Sequence, residues 1–217
     1  MTEQAGYDYP VWPNLATMMF QRARQWPDRP MLRSFREGTW AGINWREFAR
    51  MSASAARALR AAGVMRGDRV VIVSENRPEY PVIETALMAI RAVPVPTYTT
   101  NTVDDHRHIL NDCGARVAFA STAALALKVA AAGPLDLLIT IETFEATGIR
   151  TATWDGFVAG TEAPDDIEAE AALIPGSALA CMIYTSGTGG SPKGVMLPHR
   201  AILSNCRGAY ILILQLN

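Results

Sequence analysis

The sequence predicts an α/β fold in which a sheet of mostly parallel strands is flanked by helices. From Arg69 onward, short apolar runs alternate with stretches of helical spacing. Strands that are separated by helices pair in parallel through right-handed crossovers. Apolar residues make up 49% of the 217 residues and charged residues 19%, which is typical of a globular protein with a substantial core. A loop rich in glycine and hydroxyl residues, 184–194, lies between two apolar runs that we interpret as buried strands.

Residues 1–66 carry the signals of two helices and a hairpin. Residues 15–26 have helical spacing and are followed by Pro27, while residues 31–36 and 39–44 flank a Glu-Gly turn. A second helix is predicted over residues 45–62. Asn44 followed by Glu47 forms a capping-box pattern at its start, and Gly63 ends it.

Residues 67–141 alternate between strand and helix patterns. Asn76 with Glu79 is expected to open one helix, and Thr102 to cap another that Gly114 ends. The predicted strands are 70–73, 94–96, 117–120 and 135–141, and the predicted helices are 76–91, 102–114 and 122–132. Residues 142–176 contain Thr, Gly, Pro and an acidic run, so we expect a solvated loop with one short helix near 154–158. Residues 177–217 hold the glycine-rich loop and a following helix.

The glycine-rich loop reads Tyr-Thr-Ser-Gly-Thr-Gly-Gly-Ser-Pro-Lys-Gly-Val over residues 184–195. Glycines allow successive N–H groups to converge on one point, and the hydroxyls and Lys193 add donors and positive charge. Such a turn after a strand suits a polyphosphate. Neither common template fits, because Pro192 and Gly194 stand where a Walker loop needs Gly and Ser or Thr, and Pro192 also interrupts the dinucleotide pattern.

This motif resembles the loop of the adenylate-forming enzymes, which include acyl-CoA synthetases, peptide-synthetase adenylation domains and luciferase. Gly189 stands where that family usually has Thr or Ser. The likeness extends to Gly-Asp-Arg-Val at 67–70, Ser-Glu-Asn-Arg-Pro-Glu at 74–79, Val-Pro-Thr-Tyr at 95–98 and Ile-Leu-Asn-Asp-Cys-Gly-Ala at 109–115, and so covers residues 10–217. Within the family, the pattern is most similar to bacterial medium- or long-chain acyl-CoA synthetases.

The resemblance implies that residues 1–217 are part of the large N-terminal domain of the adenylate-forming fold. It implies binding of ATP with Mg²⁺, with CoA as co-substrate and a small carboxylate, a fatty acid or a related acid, as the molecule activated. The residues that it assigns to the phosphates are Thr185, Ser186, Gly187, Thr188, Gly189, Gly190 and Lys193. The family's catalytic lysine, its Mg²⁺ ligand and its small C-terminal domain are expected beyond residue 217.

Other interpretations fit the same sequence. An aromatic-acid ligase or a peptide-synthetase adenylation domain would carry a similar loop, and a truncated domain could survive as a non-catalytic nucleotide-binding module.

A net charge of −1 gives no basic field for nucleic acid. We expect a cytoplasmic protein, with peripheral contact to the inner membrane compatible with the sequence, because no signal peptide or membrane-length apolar run is visible.

Histidine, tryptophan and cysteine residues are expected to be structural. His106 and His108 point about 200° apart on a helix, so they are interpreted as a solvated face rather than a metal pair. His199 starts the last helix and is assigned a structural role. The five tryptophans are expected to pack, and Cys113, Cys181 and Cys206 are expected to be free thiols, mostly buried.

We predict that the 217-residue chain alone makes no acyl-CoA, because the contacts to the base and ribose and the catalytic lysine are expected beyond residue 217. Loss of one electrostatic catalytic group costs roughly 10²–10³ in rate, and several would be missing together. Pyrophosphate release from ATP with a panel of fatty acids checks this prediction. Turnover above a protein-free blank would contradict it.

Overall fold

The computed structural model describes residues 11–36, 38–159, 166–185 and 191–215. The strands are β1 (Pro30–Arg36), β2 (Thr39–Asn44), β3 (Arg69–Val73), β4 (Val93–Thr97), β5 (Val117–Ala120), β6 (Leu137–Thr140), β7 (Arg150–Thr153), β8 (Leu179–Thr185) and β9 (Lys193–Pro198). The helices are α1 (Leu15–Gln25), α2 (Trp45–Ala61), α3 (Glu79–Ala89), α4 (Val103–Cys113), α5 (Ala123–Ala132), α6 (Trp154–Val158), α7 (Asp166–Ala172) and α8 (His199–Gln215).

The centre of the fold is a five-stranded parallel sheet in the order β4-β3-β5-β6-β7. Strands β1 and β2 form an antiparallel hairpin, as do β8 and β9. The fold class predicted from the sequence, a parallel-rich sheet flanked by helices, is therefore confirmed.

Side chains of β3 alternate between two hydrophobic cores. Val70 and Ile72 belong to the core formed with α1, α2, α3, α6 and α7, whereas Val71 and Val73 belong to the core formed with α4 and α5. A strand buried on both faces has a continuous apolar sequence, because each successive side chain enters one core or the other. The run Val-Val-Ile-Val at 70–73 has this property.

Most predicted helix ends agree with the structure. Asn44 and Thr102 both form complete capping boxes, with Glu47 and Asp105 respectively. Gly114 ends α4 with φ of 67°, the left-handed conformation that favours glycine. The prediction for Asn76 is wrong: Pro78 holds the cap position of α3, and no side chain there bonds to the helix.

The prediction of a solvated loop over residues 142–176 is only partly right. The short helix is present as α6, but β7 adds a fifth strand to the sheet and α7 packs into the first core through Ile167 and Ala171. The sequence of β7, Arg-Thr-Ala-Thr, has no apolar run because it is an edge strand that is only partly buried. Helix α7 was missed because its other residues are mostly acidic and pair with Arg24, Arg57 and Arg60.

Asn14 connects the start of the chain to α7. Its side-chain oxygen accepts a hydrogen bond from the Thr17 N–H and caps α1, while its Nδ2 donates to the carbonyls of Ala171, at 2.8 Å, and Ile174, at 2.9 Å. Asn14 is fully buried. One side chain therefore satisfies backbone groups at the ends of two helices.

We predict that Asn14→Ala lowers the free energy of unfolding by about 3 kcal/mol. The substitution removes a cap and the side-chain donor to the buried Ile174 carbonyl, and it leaves the Ala171 carbonyl with only the Ile174 N–H as a donor. The matched control is Asn44→Ala, which removes only a helix cap and should cost about 1 kcal/mol. Urea unfolding monitored by circular dichroism measures both. Equal losses in the two variants would contradict the connecting role of Asn14.

Candidate phosphate-binding site

The antiparallel hairpin of β8 and β9 holds the two ends of the predicted phosphate loop. Its last paired residues are Thr185 and Lys193, and the pairing continues back through Tyr184 with Gly194 and Ile183 with Val195. Ser186, Gly187, Thr188, Gly189 and Gly190 lie outside the described residues, so their assignment stays a prediction. The structure thus fixes the ends of the loop rather than its tip.

Thr185 and Lys193 occupy the mouth of this loop. Both are exposed, and directly paired residues of an antiparallel ladder present their side chains on the same face. A hydroxyl and an ammonium group side by side at a loop mouth are suitable partners for phosphate oxygens. The two predicted residues that the structure describes therefore lie together at the loop mouth, and their binding of phosphate stays a prediction.

The first of the two flanking strands is partly buried and the second is mostly exposed. Ala180, Cys181 and Tyr184 of β8 are buried, whereas Val195 and Met196 of β9 are 43% and 61% exposed. The expectation of buried strands on both sides of the loop is therefore wrong for β9. The apolar sequence of β9 predicts a buried strand, but the described residues cover only part of the surface of this strand.

Tyr184 anchors the hairpin immediately before the loop. Its hydroxyl donates to Asp112 Oδ2 at 2.5 Å, and its ring lies in the second core. Burial and the neighbouring Asp112 carboxylate raise the pKa of the Tyr184 phenol well above its usual value. The phenol therefore remains a hydrogen-bond donor throughout the physiological pH range.

Gly194 lies opposite Tyr184, where a side chain would not fit without movement. A Cβ placed there would approach Met182 Sδ at 2.9 Å and Tyr184 Cζ at 3.2 Å. The absence of a side chain at this position lets the Tyr184 ring pack across β9. This glycine of the loop motif thus has a packing role on the strand.

His108 is not on a solvated face, contrary to the sequence-based expectation. It is half-buried, its Nε2 lies 2.7 Å from the Pro192 carbonyl oxygen, and its ring meets the Tyr184 ring edge-on with centroids 6.3 Å apart. Because a carbonyl oxygen can only accept, Nε2 carries the proton in this contact. The partners are distant in sequence, so no local pattern could have revealed them.

His106 is also buried, which again contradicts the expected solvated face. Only 1% of its surface is exposed, and neither ring nitrogen has a hydrogen-bond partner among the described residues. Burial, with a smaller contribution from Lys128, lowers the pKa of His106. The two histidines of α4 therefore face different surroundings.

A second titratable cluster lies where α3 packs near β8. Burial raises the pKa of Glu84 to about 7, and Tyr80 shares a hydrogen bond with it. Burial raises the pKa of the Cys181 thiol on β8 to about 11, and the nearby Glu84 carboxylate contributes to the increase. The Cys181 thiol is therefore protonated and unreactive at neutral pH.

The cysteines agree with the prediction of free, mostly buried thiols, whereas one tryptophan that was expected to pack is exposed. The three cysteines are free, with Cys113 and Cys181 buried and Cys206 exposed. Trp154 is buried against Phe119, but Trp40 is 68% exposed and contacts only the ring of Phe35 among the aromatic residues that the structure describes. Trp40 lies in the part of β2, residues 39–42, that is exposed among the described residues.

No group of three His, Cys, Asp or Glu side chains within the described ranges is arranged to hold a metal ion. None of the described helices has the length and apolar character that a membrane crossing requires.

His199 links α8 to the start of the chain. It is buried, and its Nδ1 accepts a hydrogen bond from the Leu15 N–H at 3.3 Å. Burial lowers the pKa of His199 to about 4. A ring nitrogen that accepts cannot carry a proton, so the neutral form is the one that fits this contact.

Comparison with known protein families gives a match over most of the chain. The model of the AMP-binding enzyme family matches residues 19–215. Long-chain-fatty-acid–CoA ligase FadD15 of Mycobacterium tuberculosis is 33% identical over 197 residues, which are 90% of this chain and 33% of that protein. Feruloyl-CoA synthase of an Amycolatopsis species is 33% identical over 196 residues, 87% of this chain and 36% of that protein. The chain thus spans about a third of the length of these relatives.

Solved structures of low sequence identity share the fold. Anthranilate CoA ligase AuaEII, in complex with anthranoyl-AMP, superposes with a TM-score of 0.73 at 21% identity, covering 89% of this chain and 36% of that one. Acetoacetyl-CoA synthetase from Streptomyces lividans gives a TM-score of 0.71 at 24% identity, covering 88% of this chain and 31% of that one. At sequence identities this low, the structural similarity establishes the fold alone.

We predict that stability falls as the pH decreases from 6.5 toward 4, in part because of His199. Unfolded histidine binds a proton near pH 6.5, whereas folded His199 does so only near pH 4, so protons favour the unfolded state between these values. His199→Asn keeps an acceptor for the Leu15 N–H and does not titrate. Urea unfolding across this range should show a smaller loss of stability in the variant. Parallel curves for the variant and the unmodified chain would contradict the assignment.

Proposed function

This chain belongs to the AMP-binding enzyme family, and we propose that it supplies the phosphate-binding part of an ATP-dependent acyl-CoA synthetase. The proposed reaction first joins a carboxylate to the α-phosphate of ATP, forming an acyl-adenylate and pyrophosphate. The thiol of CoA then displaces AMP to give the thioester. The observation that carries the proposal is the pairing of Thr185 with Lys193 at the mouth of the Thr-Ser-Gly-Thr-Gly-Gly loop.

The chemistry explains why donors are needed at this place. A carboxylate is a poor electrophile because its leaving group would be oxide, and conversion to an adenylate replaces that group with AMP. Negative charge develops on pyrophosphate as the phosphorus–oxygen bond breaks. Donors that are fixed before the reaction stabilise this charge without the cost of reorganisation. Thr185, Ser186, Thr188 and the backbone amides of Gly187, Gly189 and Gly190 are assigned this role, and Lys193 supplies positive charge.

Magnesium and CoA are included in the proposal as partners of the whole protein. Mg²⁺ would neutralise part of the triphosphate charge, and its protein ligand is proposed to lie outside residues 1–217. The same holds for the catalytic lysine and the smaller C-terminal domain. We accordingly propose that residues 1–217 belong to the N-terminal AMP-binding domain and need the remaining parts for turnover. The proposed setting is the cytoplasm, with only peripheral contact to the inner membrane.

A fatty acid is the proposed substrate class, supported by the similarity to the long-chain-fatty-acid–CoA ligase FadD15 over 90% of this chain. An aromatic acid is the second candidate, supported by the similarity to feruloyl-CoA synthase over 87% of the chain. A comparison of saturated fatty acids with ferulate and benzoate, measured as substrate-dependent pyrophosphate release by the complete protein, separates the two. Release with neither class would overturn the proposed activity.

We predict that Thr185→Ala and Lys193→Ala in the complete protein lower the rate of adenylate formation by roughly 10²-fold, because both remove a contact to the departing pyrophosphate. Thioester formation from synthetic acyl-adenylate should be spared. ATP–pyrophosphate exchange and thioester release measure the two half-reactions separately.

The matched controls for these variants are Thr39→Ala on β2 and Arg50→Ala on α2, both at exposed positions of other elements. The controls should leave both half-reactions unchanged. Equal damage to the two half-reactions by Thr185→Ala or Lys193→Ala would show that the loop acts on the fold rather than on the phosphates.

A further inference from the structure

We propose that His108 and Asp112 of α4 are positioning residues that fix both ends of the phosphate loop. The inference rests on the proposed function only in assigning the loop to the phosphates of ATP. The two contacts themselves are features of the fold. Neither residue is assigned a contact with substrate.

The first contact holds the strand that enters the loop. Asp112 Oδ2 accepts the hydrogen bond from the Tyr184 hydroxyl at 2.5 Å. Thr185, the first residue of the motif that is assigned to the phosphates, follows Tyr184 directly. A shift of the Tyr184 side chain would therefore be transmitted to the entrance of the loop.

The second contact holds the segment that leaves the loop. His108 Nε2 donates to the Pro192 carbonyl oxygen at 2.7 Å, and Lys193 is the next residue. His108 and Asp112 are four residues apart on α4 and so lie on the same face, one turn from each other. One helix face thus holds the chain on both sides of residues 185–191.

The two contacts are also joined to each other. The His108 ring lies edge-on to the Tyr184 ring at 6.3 Å between centroids, so the side chain that holds Pro192 also packs against the side chain that Asp112 holds. Gly194, which pairs with Tyr184, leaves room for this arrangement. Three side chains and one glycine form a continuous support beneath the loop ends.

Helix α4 is itself anchored independently of this support. Ile109, Leu110 and Cys113 are buried in the second core, and Thr102 and Gly114 terminate the helix at its two ends. Removal of His108 should therefore leave α4 in place and release only the loop end. This separation makes a positioning role distinguishable from a general effect on folding.

The experiment measures amide hydrogen exchange in the complete protein without nucleotide. His108→Ala and Asp112→Ala should speed exchange of the amides in residues 184–195 by about tenfold, the effect expected for the loss of one hydrogen bond. Exchange in β3 should remain unchanged. His108→Gln, which keeps a side-chain N–H donor, should restore protection at least partly. Asn111→Ala, at an exposed position of the same helix, should behave like the unmodified protein.

A kinetic measurement provides the second readout. In ATP–pyrophosphate exchange, His108→Ala should lower kcat by roughly 10-fold to 10²-fold with little change in KM for the carboxylate, because a misplaced loop costs rate more than substrate affinity. His108→Gln should recover most of the loss.

The outcomes separate this inference from the proposed function. Unchanged loop exchange in both His108→Ala and Asp112→Ala would overturn the positioning role. Faster exchange across β3 as well as the loop would also overturn it, because the residues would then support the fold as a whole. The same exchange measurement repeated with MgATP tests the ATP assignment, since bound nucleotide should slow exchange in the loop of the unmodified protein. If the variants loosen the loop but MgATP does not slow loop exchange even in the unmodified protein, the positioning role stands and the ATP assignment fails.

Discussion

Burial of β3 on both faces is the constraint on which the rest of the structure depends. Its side chains enter two cores alternately, so helices must cover both sides of the sheet. The chain satisfies this requirement by placing α1, α2 and α3 on one side and α4 and α5 on the other. Helix α4 then lies where its polar residues reach the hairpin of β8 and β9. The location of the candidate site is in this sense a consequence of how the sheet is covered.

Local patterns account for the parts of the fold that were predicted well. Helices α2 and α4 carry complete start signals in sequence, and β3 is apolar throughout, so each can be identified without tertiary information. Strand β7 and helix α7 lack such signals. Strand β7 lies at the sheet edge with little buried surface, and α7 depends on basic partners more than a hundred residues earlier, on α2. The formation of β7 and of α7 therefore depends on interactions between distant segments of the chain.

The candidate site likewise contains some residues that the sequence predicts and others that it does not. Thr185 and Lys193 belong to a contiguous motif, and the resemblance of that motif to a known family was sufficient to select them. The contribution of His108 and Asp112 could not be predicted, because Pro192 and Tyr184 are 84 and 72 residues away from them. The prediction that His106 and His108 lie on a solvated face of α4 was wrong for a related reason. A polar residue on a short helix can be buried whenever another element covers it, and sequence periodicity does not record that covering.

The contacts of Asn14 and Leu15 have a consequence for the order in which the protein folds. The long-range hydrogen-bond partners of these two residues are Ala171, Ile174 and His199, so the start of the first helix is joined to segments more than 150 residues later. Contacts of such long range form late, because the intervening chain must be closed first. During synthesis, the start of the first helix waits for residues 171–199 to leave the ribosome. Helix α1 consequently docks only after these later segments have been made, although it is itself made before them.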